Sequence, residues 1–156
     1  TNPSIIPSIS TNPSIEEDFE NGVGIWSAKG KRSNKESMQG GSYSILLKMN
    51  RDLESEWLDV KGDSVTIKFH YYYSNMGEND RFQILRKCKN CQDKDRSFTS
   101  LNEWKFDNNN EWKEDQISIE TEPATEIKFQ FKNLSNTGNN RVYIDNVSIE
   151  GVGQSA

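Results

Sequence analysis

The sequence predicts an all-β fold, a two-sheet antiparallel sandwich, on three observations. Several segments alternate apolar and polar residues with a period of two, clusters of Gly and Asn separate them, and no stretch of ten or more residues carries an amphipathic helical period. The clearest alternation is 64–73, where Val65, Ile67, Phe69, Tyr71 and Tyr73 share one face and Thr66, Lys68, His70 and Tyr72 the other. Residues 126–132 repeat the pattern, with Ile127, Phe129 and Phe131 set inward against Lys128, Gln130 and Lys132.

Taken in order, Thr1-Asn2-Pro3-Ser4-Ile5 returns as Thr11-Asn12-Pro13-Ser14-Ile15, and residues 1–15 read as an extended Pro/Ser-rich linker. The start without methionine suggests a piece of a larger multidomain protein. Residues 16–151 form the folded domain, and 152–156 a tail. A strand over 42–49 follows Gly40-Gly41, and 53–60 carries Trp57 and Leu58 before the turn Lys61-Gly62-Asp63. Residues 81–87 are expected to pair with 64–73 across the turn-prone 74–80, while 90–100 reads as charged loop. Weak alternation at 102–106 and the apolar pair Ile117 and Ile119 precede the last long stretch, 141–150. There Val142 and Ile144 share one phase and Val147 and Ile149 the other, so the phase slips at Asp145-Asn146, which reads as a strand with a bulge.

The 156 residues fit one domain, with four Trp, five Tyr and seven Phe supplying bulk to a core in a chain only 32% hydrophobic. A net charge of −5 argues against nucleic-acid binding by bulk electrostatics, and the basic residues are scattered among more numerous acids. No apolar run approaches the ~18 residues of a membrane span. Cys88-Lys89-Asn90-Cys91 lacks the second ligand pair a zinc site needs, which the single His70 does not complete, and lacks the βαβ context of a redox motif. A small disulfide between Cys88 and Cys91 and two free thiols remain, and the disulfide would suit an extracellular protein. One histidine, no Gly-x-Ser-x-Gly and no paired-carboxylate strand give little for catalysis, so the chain is read as a non-enzyme.

Phe19-Glu20-Asn21-Gly22, then Gly24-Ile25-Trp26, Gly40-Gly41-Ser42-Tyr43-Ser44-Ile45, the alternating 65–73, Glu111-Trp112 and finally 142–149 occur in the order seen in the MAM domain. Over about residues 16–150 the chain resembles that family and related jelly-roll carbohydrate-binding modules. The resemblance implies a jelly-roll β-sandwich that acts in extracellular recognition or adhesion. It departs from the family's usual four cysteines, with Ser14-Ile15-Glu16-Glu17-Asp18 where one would precede the Phe-Glu segment.

The resemblance also implies a structural calcium ion joining the first strand to the last, carried onto Glu20 and Asp145 with Asp18 and a backbone carbonyl near Gly41 or Ser42. An all-oxygen set of this kind suits that ion. It further assigns Trp26 and Trp112 to the core. A ligand face needs exposed rings beside planar polar groups. Tyr72 and His70 leave the core phase of their strand, and Gln83, Lys128, Gln130 and Tyr143 would join them if their strands adjoin. The expected ligand is a glycan, the alternative a cell-surface protein or a second copy of the module.

Overall fold

The structure, a computed structural model, describes residues 13–28, 31–33, 41–48, 51–75, 77, 80–89, 98–105, 111–121, 126–134 and 140–154. Their strands are β1 (Ser14–Glu17), β2 (Trp26–Ala28), β3 (Lys31–Ser33), β4 (Ser44–Leu47), β5 (Asp52–Ser55), β6 (Leu58–Val60), β7 (Ser64–Ser74), β8 (Arg81–Lys89), β9 (Thr99–Lys105), β10 (Trp112–Glu120), β11 (Glu126–Leu134), β12 (Arg141–Glu150) and β13 (Val152–Gln154). All pairings are antiparallel and fall into two sheets, as a jelly-roll sandwich requires. Sheet A runs β10-β7-β12-β4-β3, with β1 also on β12. In sheet B, β11 carries β8 and then β9 on one side and β5 and β6 on the other, extended by β2 and β13.

The period-two alternation builds the core. Val65, Ile67, Phe69, Tyr71 and Tyr73 of β7 face Ile127, Phe129 and Phe131 of β11, all buried in one apolar cluster. Rings fill its centre, with Phe69 and Phe131 at 4.9 Å edge to face and Phe82 stacked on Phe131 at 7°. At one side of the sandwich Trp104 of β9 stacks on Phe82 and donates its indole N–H to Asp115 of β10 at 2.8 Å, joining the edges of the two sheets.

The expected pairing of 81–87 with 64–73 is corrected. β7 pairs with β10 and β12, whereas β8 pairs with β9 and β11 in the opposite sheet. The connection between β7 and β8 is therefore an arch between layers and not a hairpin. Both strands have one apolar face, and either arrangement buries it. The 53–60 segment is also two strands, β5 and β6, and 99–100 is strand and not loop.

The bulge is present where the phase slip placed it. The β12 register on β7 shifts between Asp145 and Ser148, and Asn146 sits at φ 47. Val142, Ile144, Val147 and Ile149 all remain buried because the extra residue absorbs the slip. β1 pairs with β12 beyond the bulge, from Ser14 opposite Glu150 to Glu17 opposite Val147. Among the described residues sheet structure is thus present from Ser14, inside the segment assigned to the linker, and β13 lies inside the segment assigned to the tail. Backbone hydrogen bonding supplies the reason: Gly151 N donates to Pro13 O at 2.7 Å, and Val152 pairs with Val60. The earlier part of the linker, 1–12, lies outside the described residues.

Candidate functional site

Because β7 turns its odd-numbered residues into the core, Tyr72 and His70 stand on the outer face of sheet A. The register continues this face across four strands. Trp112 of β10 lies opposite Tyr72, Tyr72 opposite Tyr143 of β12, and Tyr143 opposite Leu46 of β4. The rings touch, Tyr72 to Trp112 at 5.4 Å and Tyr72 to Tyr143 at 5.8 Å edge to face. Trp112 and Tyr72 are half-buried, whereas Tyr143 and Leu46 are 5% and 6% exposed. The row is open at its β10 end and closed toward β4.

A polar row runs beside it, Glu114 opposite His70 and His70 opposite Asp145. His70 Nε2 donates to Glu114 Oε2 at 2.8 Å, and Lys68 Nζ lies 3.8 Å from Glu114 Oε1. Two open aromatic rings flanked by an imidazole, a carboxylate and an ammonium group can stack against an apolar ring face and hydrogen-bond its polar rim.

Of the six nominated ligand residues, this face gathers three. Gln83, Lys128 and Gln130 lie in sheet B and project from the opposite side of the sandwich. Gln83 Nε2 donates to Glu103 at 2.7 Å there, and Lys128 and Gln130 reach the Glu54 carboxylate at 3.3 and 3.4 Å. The condition that their strands adjoin β7 is not met, since β8 and β11 belong to the other layer. Tyr143 is on the predicted side, but at 5% exposed it offers too little surface for a platform. Trp112, assigned to the core, is the residue missed. Its even number puts it on the phase opposite Ile117 and Ile119, and that signal was in the sequence. Trp26, by contrast, is in the core, 5.5 Å from Phe131.

The nominated metal ligands come only partly together. Both oxygens of Glu20 accept backbone N–H groups, from Ser42 at 2.7 Å and Tyr43 at 2.9 Å, so the carboxylate is held at the start of β4. Ser42 is engaged through its N–H donor. Asp18 Oδ1 accepts the Glu20 N–H at 3.1 Å. Asp145 is 1% exposed, and its Oδ1 accepts the N–H of Asn146 at 2.8 Å. A cleft of about 460 Å³ does join the two segments, lined by Glu16, Glu17 and Asp18 on one wall and Asn146, Val147 and Ser148 on the other. Among the described residues no three His, Cys, Asp or Glu side chains converge as a metal-binding group. Cys88 is buried on β8, and Cys91 lies outside the described residues.

The model of the MAM domain family, described as meprin/A5/mu, matches residues 18–153. No curated protein sequence matches the chain. Among solved structures it is similar to the CBM22-1 xylan-binding domain of Paenibacillus barcinonensis Xyn10C, with TM-score 0.69, 12% identity, and 96% of this chain and 100% of that one covered. A second likeness is to the K1 cleaved adhesin domain of Lys-gingipain from Porphyromonas gingivalis W83, with TM-score 0.62, 16% identity and coverage of 90% and 99%. A third is to the CBM22-1–GH10 modules of Clostridium thermocellum Xyn10B complexed with xylohexaose, with TM-score 0.66, 14% identity, 91% of this chain and 29% of that one.

Proposed function

The chain belongs to the MAM domain family, and from that premise we propose that it is a non-catalytic extracellular recognition module whose ligand is a carbohydrate. The observation that carries the reading is the open pair Trp112 and Tyr72 on sheet A, in register and 5.4 Å apart, beside His70 and Glu114. Neutral sugars offer an apolar face of C–H groups and a rim of hydroxyls, which this arrangement complements. The likeness to xylan-binding domains supports the fold on which such a site would sit.

A glycan array followed by titration with a bound oligosaccharide, xylohexaose among the probes, tests the proposal. Trp112→Ala and Tyr72→Ala are each expected to weaken binding about tenfold or more, roughly 1.4 kcal/mol. Absence of binding to any glycan, or binding indifferent to both substitutions, overturns it. The alternative reading is protein adhesion or self-association, which the likeness to an adhesin domain favours. Concentration-dependent association in sedimentation, lost on changing an edge strand, would select it.

The calcium ion belongs to the same proposal. The cleft between Glu16, Glu17 and Asp18 and the bulge offers oxygen donors from both segments, Asp145 precedes its wall residue Asn146 in the chain, and main-chain carbonyls would complete a hard-cation shell. Calcium is expected to raise the melting temperature, chelation to reverse the rise, and Asp145→Ala to abolish the difference. Identical melting curves with calcium and with chelator sink the assignment. A disulfide between Cys88 and Cys91 would accord with the proposed extracellular setting.

A further inference from the structure

The outer face of sheet B carries a second, chemically different row. β8 and β11 place Lys87 directly opposite Lys128. Arg86 pairs with Thr99 and Ile127 with Leu58, so Phe98 and Trp57 occupy the next positions on either side. Phe98, Lys87, Lys128 and Trp57 thus cross the sheet in line, over about 14 Å at the usual strand spacing. The contacts follow that order. Lys87 Nζ lies 5.7 Å from the Phe98 ring centre, and Lys128 Nζ 5.0 Å from that of Trp57. Lys89 Nζ approaches Trp57 at 4.4 Å.

Like charges directly opposite across a strand pair destabilise a sheet. Part of the charge here is offset, as Lys128 meets Glu54 at 3.3 Å and Lys89 meets Glu126 at 3.4 Å. Among the described residues no carboxylate pairs with Lys87. Each lysine of the opposed pair leans on an aromatic ring, Lys128 while also meeting Glu54, which leaves positive charge between two half-buried platforms. This stands on a chain whose net charge is −5 and which would otherwise repel polyanions.

We propose that this row is a second saccharide site, for an anionic glycan whose carboxylate or sulfate sits between Lys87 and Lys128 while flanking sugar rings stack on Trp57 and Phe98. An anion there relieves the lysine–lysine repulsion and uses a spacing of two to three sugar units. The site is separate from the Trp112 and Tyr72 row, on the other side of the sandwich.

Affinity electrophoresis of the whole chain through gels containing polygalacturonate, dextran sulfate or unmodified dextran tests it. At least one polyanion is expected to retard the protein, and dextran is not. The polygalacturonate arm reads carboxylate recognition and the dextran sulfate arm sulfate recognition. Lys87→Gln, which removes no ion pair, and the double variant Lys87→Gln/Lys128→Gln should weaken retention, the double by about tenfold, with a shallower salt dependence. Lys68→Gln, on sheet A, and Trp112→Ala should leave it unchanged, which separates failure of this site from failure of the other. No retardation by either polyanion, or equal loss in Lys68→Gln, overturns the proposal.

Discussion

Glu20 does its work through two oxygens and two backbone N–H groups, fastening the segment after β1 to the start of β4. Charge-assisted bonds of this kind are stronger than neutral ones. Glu20→Ala is expected to destabilise the fold by about 1–3 kcal/mol and Glu20→Gln by less, read from denaturant midpoints with an unchanged slope. The resemblance set Glu20 beside a backbone carbonyl near Gly41 or Ser42 in a calcium site with Asp145, and the structure shows the N–H groups of Ser42 and Tyr43 on its carboxylate. A carboxylate seeks the nearest unpaired donors, and which amides those are depends on where β4 starts in space. Trp112 and Tyr143 show the same limit in opposite senses. Phase sets both outside the core, against the core place the resemblance assigned to Trp112, and exposure then separates them, Trp112 being half-buried and Tyr143 only 5% exposed.

At the scale of elements, the one-residue bulge in β12 is what lets a single strand keep Val142, Ile144, Val147 and Ile149 all inside. Removing Asn146 would turn Ser148 and Glu150 toward the core and Val147 and Ile149 toward solvent. Deletion of Asn146 is therefore expected to abolish cooperative melting. Asn146→Gly keeps the residue count and relieves a left-handed backbone at φ 47, so it should retain the fold with stability equal to or about 0.5 kcal/mol above the parent. The bulge was legible because a phase slip is written in one strand. The partners of β8 were not, because an amphipathic strand and a turn-rich connection describe a hairpin and an arch between layers equally well. That ambiguity is why Gln83, Lys128 and Gln130 were expected beside Tyr72 and lie on the opposite face.

Over the whole molecule the two sheets meet through a ring-filled core and through polar links that include Trp104 of β9 to Asp115 of β10 at their edges and the buried Asn133 amide of β11 to the Leu47 carbonyl of β4 at 3.0 Å. Trp104→Phe keeps most of the ring and loses the N–H, and it should cost about 1 kcal/mol; a double-mutant cycle with Asp115→Asn should return a coupling of similar size. The sandwich itself was readable from alternation, since a sheet with one apolar face must bury it against another. Its two outer faces, one with the Trp112 and Tyr72 row and the other with the opposed Lys87 and Lys128, were not separable until the strand order was known. The bond from Gly151 N to Pro13 O has a different reach. It holds the chain before β1 beside the chain after β12, so a cut and a join near that point would disturb little of the sandwich, and a circular permutant linked there and reopened in an exposed connection is expected to keep the fold.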